Sequence, residues 1–143
     1  MAPERPPMAS ADALSFISSN HRAVLATYRR DGSAQLSPVV AGVDAQGRVV
    51  VSSREGAVKT LNVRRDPRVA LTAFTDRFFG PWVVVWGSAE VVSLPVALPL
   101  LEAYYRAVVG EHPNWDEYRA AMVAERRVLL RITVERSGPE RSG

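Results

Sequence analysis

The hydrophobic pattern changes period once near the start of the chain. In "SADALSFISS", Ala13, Phe16 and Ile17 recur at helical spacing, Ser10 stands where an N-cap hydroxyl belongs, and Asp12 lies in the first turn. Together these predict a short amphipathic helix. The next stretch, "RAVLATYRRDGSAQLSPVVAGVDAQGRVVVSS", reads as three β-rich runs separated by "DG" and "QG". Asp31-Gly32 is the pair that a tight hairpin turn with positive φ prefers, so the three runs form a meander. Pro38 falls inside the second run. A missing N–H is tolerated there only at an edge, at a bulge, or where something other than a strand lies alongside.

After Ser53 the pattern turns helical for one short element, "EGAVKTLNVRR", which Asp66-Pro67 closes because the residue before proline is pushed out of the α region. Ala57, Val58 and Leu61 form its expected core stripe, and Lys59 projects away from it. "RVALTAF" and "PWVVVWGSAEVVS" follow as strands, "VALPLLEAYYRAVVG" and "NWDEYRAAMVAE" as helices, and "RRVLLRITVER" as a last strand. Asn114 with Glu117 three residues on forms a capping box. Six strands with few helices, mostly in hairpin connection, predict a mainly β domain built as a six-stranded antiparallel split or closed β-barrel. That domain spans residues 10–136, with 1–9 and 137–143 expected as flexible ends.

At 143 residues and 47% hydrophobic, the chain fits one globular domain. It has no cysteine, which removes disulfides, thiolate metal sites and cysteine nucleophiles, and its two histidines cannot build a zinc site alone. No metal site is expected. "MAPERPPMAS" has neither an apolar signal core nor a twin arginine, and "PWVVVWG" is far short of the roughly 20 apolar residues of a membrane span. The expectation is a cytoplasmic protein that binds neither membrane nor nucleic acid. The familiar catalytic motifs are absent: no G-x-S-x-G, no phosphate loop, no dinucleotide fingerprint and no H-E-x-x-H. His21 and His112 are expected to be structural or surface residues, and Asp116 and Glu117 to serve the helix start.

Charge changes the picture at one place. Lys59 is the single lysine among 18 basic residues, and the other 17 are arginine. It lies in "SSREGAVKTLNVRRDPR", at a strand-to-helix junction where Ser52, Ser53, free helix N–H groups and an ammonium can converge on one phosphate. A compact, rotatable point charge suits a tight phosphate pocket better than a planar guanidinium fork. From Arg54 to Arg68 there are five basic and two acidic residues, a local excess that a solvated helix face would also produce.

The segments "AVLATYRRDGSAQLSPV", "VVVSSREGAVKTLNVRRDPRVAL", "GPWVVVWGSAEVV" and "GEHPNWDEYRAAMVAERRVLLRI" resemble the pyridoxamine 5'-phosphate oxidase-like split-barrel superfamily. They are most similar to its actinobacterial branch of oxidoreductases that use the deazaflavin coenzyme F420. The resemblance spans about residues 12 to 135 and implies a homodimer holding its cofactor at the subunit interface. It places Gln35, Ser37 and Pro38 beside the flavin or deazaflavin ring, and Ser52, Ser53, Arg54 and Lys59 around the phosphate. Trp82 would reach the cofactor from the partner chain. Relatives carry arginine two positions before the lysine, where this chain has Ala57, so Arg54 or Arg65 is expected to supply that charge. The arginine and histidine that pyridoxamine phosphate oxidases place near the C-terminus have no counterpart in "RVLLRITVERSG", which argues against vitamin B6 oxidation.

The activity so implied is hydride transfer between F420 and a small conjugated organic acceptor, with no catalytic acid assigned. FMN is the alternative cofactor, and a noncatalytic carrier of either one is the alternative role. Arg54, Arg64, Arg65 and Arg68 exceed what one phosphate needs and are expected to line the path of F420's anionic tail.

Overall fold

The computed structural model describes residues 10–138. The residues expected to form the flexible start, 1–9, lie outside that range. The order of elements is α1 (Ser10–Ser19), β1 (Arg22–Tyr28), β2 (Ala34–Val43), β3 (Val49–Arg54), α2 (Val58–Arg65), β4 (Arg68–Phe74), β5 (Trp82–Val92), α3 (Ala97–Val108), α4 (Trp115–Ala124) and β6 (Arg127–Gly138).

The six strands close into an antiparallel barrel in the order β1-β2-β3-β6-β5-β4. Alternation along the strands supplies its core. Leu25, Val49, Val51, Leu71, Val83, Val85, Leu130 and Ile132 are essentially without solvent contact and meet in one cluster, which α1 plugs with Ala13 and Ile17. Truncating one of these, as in Ile132→Ala, would cost about 2–5 kcal/mol because so closed a site cannot collapse around the gap. Outside the barrel, α3 and α4 form a second cluster with Leu101, Tyr118 and Met122 over Val50 and Leu129. β6 runs to Gly138, and Ser137 and Gly138 pair with Val85 and Val84. Residues 137 and 138 of the expected flexible end are therefore strand, and 139–143 lie outside the described residues.

The first hairpin differs in its turn. Gly32 alone takes positive φ, +86°, and the loop closes with Arg29 N–H on Ser33 O at 2.9 Å. This is the three-residue turn ending in a left-handed glycine rather than the two-residue one. Asp31 needs no positive φ because its carboxylate accepts from Ser33 N–H at 2.9 Å and from Ser33 Oγ at 2.6 Å.

The barrel is forked. β2 pairs with β1 along residues 34–40, but with β3 only where Ala41–Val43 face Val49–Val51. Ser52, Ser53 and Arg54 pair with β6 alone. Ala41 N–H reaches back to His21 O at 2.8 Å, so the backbone groups of residues 38 and 40 point the other way, into the fork. This is why Pro38 is tolerated: its missing N–H faces a gap with no strand to bond.

Candidate cofactor site

Helix α2 caps the fork, and it does so on an unexpected face. Val58 and Leu61 are 54% and 52% exposed, while Thr60, Asn62 and Val63 are buried. Of the expected core stripe of Ala57, Val58 and Leu61, the two large residues are therefore turned outward and Ala57 is only half-buried. The cause is polar. Thr60 Oγ1 donates to Arg54 O at 2.7 Å and meets Ser53 Oγ at 2.8 Å, and Asn62 Nδ2 donates to Thr27 Oγ1 at 3.1 Å. Buried hydroxyl and amide groups must be bonded, so satisfied polar contacts set the helix's orientation in place of its apolar residues.

This orientation delivers Lys59 to a cleft of about 580 Å³ lined by Pro38, Val39 and Val40 of β2, Ser52 of β3, Tyr104 and Tyr105 of α3, Tyr118 and Met122 of α4, and Arg127 of β6. The N-cap of α2 is Ala57, which has no side chain to satisfy the first helical N–H groups, so these remain available to an anion. Burial, and then the charges of Arg127 and Arg54, hold the Lys59 ammonium below its ordinary pKa. No described carboxylate lies within ion-pair distance of it. The acid that joins these two arginines, Glu125, is taken by Arg54 at 3.3 Å and Arg127 at 2.8 Å, and its carboxyl is held below the usual range, chiefly by the Arg127 hydrogen bond. Glu125 thus serves the two arginines, and Lys59 has no carboxylate partner among the described residues. That donor set fits a phosphate.

The tyrosines of the wall are mostly committed. Tyr104 Oη donates to Val40 O at 2.8 Å, and Tyr118 Oη donates to Leu101 O at 2.8 Å. Burial raises both hydroxyls, Tyr118 to about 12. Tyr105 packs its ring against His112, Trp115 and Tyr118 with centroids 5.1–5.8 Å apart. His112 Nδ1 accepts from Asn114 N–H at 2.9 Å, so the capping box is half formed: Asn114 Oδ1 still accepts from Glu117 N–H at 3.2 Å, but the return bond comes from the histidine. His21 Nδ1 bonds Ala41 O at 2.8 Å. Both histidines hold backbone.

Of the expected site residues, Pro38, Ser52 and Lys59 share the cleft, and Arg54 stands beside Lys59 as a charge. Ser53 is 1% exposed and held by Thr60, so it anchors α2 and does not open on the cleft. Gln35 and Ser37 lie on the opposite face of β2 from Pro38 and bond Thr27 and each other. Arg65 sits at the far end of α2, donating to Tyr28 O and to Asn62 Oδ1. It is Arg54 and Arg127, not Arg65, that flank Lys59 where Ala57 lacks a charge. Arg64 is tied to Glu55 and Ser93, and Arg68 to Asp66, whose carboxyl the hydrogen bonds from Arg68 push down to about 2. The arginine row expected to line an anionic tail is therefore engaged in local pairs. Trp82 lines a different cavity, with Phe74, Phe78 and Phe79. Arg127 and the tyrosines escaped the sequence reading because distant pairing places them here: register across β3 and β6 sets Arg54 opposite Arg127, and the packing of α3 and α4 on the barrel brings in the tyrosines.

The comparisons agree with this architecture. A conserved hypothetical protein of Mycobacterium tuberculosis is 25% identical, with 95% of this chain and 88% of that one covered and a TM-score of 0.76. An F420 reductase is 19% identical over 87% of this chain and 94% of its own, with a TM-score of 0.67. A heme binding protein from Mycobacterium smegmatis is 21% identical, covering 93% of this chain and 54% of that one, with a TM-score of 0.67. Residues 10–138 match the pyridoxamine 5'-phosphate oxidase family along the whole barrel, and the chain belongs to that family.

Proposed function

We propose that the protein is an F420-dependent oxidoreductase that moves a hydride between the deazaflavin and a small conjugated organic acceptor. The observation that carries this is the half-buried Lys59 ammonium, held without a counter-ion at the start of α2 on an open cleft. Lys59, the free N–H groups of α2 and Ser52 would hold the phosphate, with Arg54 and Arg127 supplying further positive field. Pro38 and Val40 would border the ring. The cofactor, when bound, supplies the redox chemistry, and the chain's own contribution is binding, orientation and exclusion of water. The likeness to an F420 reductase and the "EHPNWDEYRAAMV" segment, which forms the cleft wall, favour F420.

One observation favours FMN as the second reading. Arg64, Arg65 and Arg68 have local partners, as have Arg54 and Arg127, so the unpaired Lys59 suits one terminal phosphate as well as a longer anionic tail. Side-by-side titration of the purified chain with F420 and FMN tests the choice. Tighter F420 binding supports the proposal. Equal or tighter FMN binding, with the same salt dependence for both, turns the assignment to FMN. Turnover with reduced cofactor and a panel of acceptors separates an enzyme from a carrier.

The assembly proposed with it is a homodimer. Leu36, Val40, Val58 and Leu61 are each about half exposed or more on β2 and α2 beside the cleft, and Phe78, Phe79 and Trp82 are exposed at the β4–β5 loop. So much apolar surface on one small chain suits an interface, with Trp82 reaching the cleft of a second copy.

A further inference from the structure

The fork between β2 and β3 raises a question of backbone bonding. Gly42 pairs with Val50 in the last stretch of the ladder, so Val40 and Ser52 would be the next pair to exchange bonds across it. They do not pair. Tyr104 of α3 enters instead, its Oη donating to Val40 O at 2.8 Å, and the Ser52 backbone N–H is turned toward that tyrosine hydroxyl. A single hydroxyl, donating to one strand and faced by the N–H edge of the other, thus stands where a strand-to-strand bond would run. The Val40 carbonyl keeps a donor while the strands stay apart, as buried peptide groups require.

Gly42 brings the tyrosine there. A Cβ at Gly42 would meet Val108 Cγ1 at 3.0 Å, so the missing side chain lets α3 lie close on β2. Val108 and Tyr104 are one helical turn apart on one face of α3, so the contact at Gly42 aims Tyr104 at the fork. The ring also separates two spaces: the Lys59 cleft in front, and behind it a cavity of about 290 Å³ lined by Val43, Val50, Leu100 and Leu129.

We propose that Tyr104 is a positioning residue, whose hydroxyl wedges the fork open and fixes Val40 and Ser52 on the two sides of the cleft. This rests on the cofactor reading of that cleft. In the wedge, the Ser52 N–H faces the tyrosine hydroxyl, the Ser52 side chain faces the phosphate region, and Val40 holds its place beside Pro38. Without the hydroxyl, the ring remains but the two strands have nothing between them to bond.

The test is Tyr104→Phe, which keeps the ring and its packing. Amide hydrogen exchange at Ser52, read by nuclear magnetic resonance without cofactor, should accelerate by about tenfold, and affinity for FMN or F420 should fall by about fivefold, the scale of one neutral hydrogen bond. Tyr118→Phe is the control: it removes a hydroxyl of the same kind from Leu101 O and should leave Ser52 exchange unchanged. Unchanged exchange at Ser52 in Tyr104→Phe overturns the wedge. Accelerated exchange with full cofactor affinity overturns its link to the cleft. If the unmodified chain binds neither cofactor, the proposed function fails alone, and exchange at Ser52 still decides the wedge.

Discussion

The two ends of helix α2 are built from the same kind of residue to opposite ends. At its C-terminal end, Arg64, Arg65 and Arg68 each have a partner: Glu55 and Ser93, Asn62 and the Tyr28 carbonyl, and Asp66. At its N-terminal end, Lys59 has none, and burial with two neighbouring guanidinium groups makes its charge unfavourable. Exposed, paired cations are the ordinary furniture of a surface and contribute little. A half-buried cation without a counter-ion is retained at a cost in stability, and its natural complement is a ligand. The number of basic residues in the stretch is therefore a poor guide to the site, and their state of pairing is a good one.

The largest effect should come from removing the unpaired charge. Lys59→Ala is expected to lose about 1.5–3 kcal/mol of cofactor binding, the range of a hydrogen bond to a charged group, with circular dichroism unchanged. Lys59→Arg should recover only part of it, because a planar guanidinium does not reproduce the compact, rotatable charge of an ammonium. Arg65→Ala, at the other end, should lower stability by about 1 kcal/mol and leave affinity as it was. Equal losses of affinity for Lys59→Ala and Arg65→Ala would erase the contrast between the two ends.

The outward apolar face of α2 gives the next test. Leu61→Glu should convert a dimer to a monomer by light scattering at micromolar concentration and weaken cofactor binding with it. In the unmodified protein, cofactor should quench tryptophan emission through Trp82. An unmodified chain that is already monomeric would leave Val58 and Leu61 without a reason for their exposure.

A smaller effect follows from pH. Lys59 has a folded-state pKa below its ordinary 10.5, so its buried charge opposes folding fully below that folded value. As pH rises from the folded value towards 10.5, the folded state sheds this proton first and stability recovers. Anion binding runs the other way: FMN affinity should fall over the same alkaline window, and the fall should be absent in Lys59→Ala. A flat profile in the unmodified chain would separate Lys59 from the anion. Least of all, Arg68→Ala should leave the midpoint of urea unfolding almost where it was, since the Asp66–Arg68 pair is exposed.

Much of this was legible in the sequence. The six strands, the four helices and the oddity of Pro38 all follow from local pattern, because period, turn residues and a missing N–H act within a few residues of themselves. Lys59 stood out because composition isolated it. The orientation of α2 was not legible. An apolar stripe is a good guide where the surface beneath is apolar, but here Thr27 and Ser53 lie beneath the helix and Thr60 and Asn62 answer them. Arg127, Tyr104 and Tyr118 were hidden for another reason: their place beside Lys59 depends on register between strands and helices some 45 to 70 residues apart in the sequence.

The position of β6 in the barrel has a consequence for how the chain is made. β6 pairs with β3 on one side and β5 on the other, and it is the last strand in the sequence. During synthesis β3 and β5 therefore each wait with an open edge until residues 127–138 have left the ribosome, and the pairs that finally close the barrel join positions as far as 83 residues apart, Val49 to Ile132. Such non-local closure makes folding slow and exposes the unfinished sheet to association with other chains. Chains stalled before Arg127 should accordingly be protease-sensitive and chaperone-bound, and the transition to resistance should come late and in a single step.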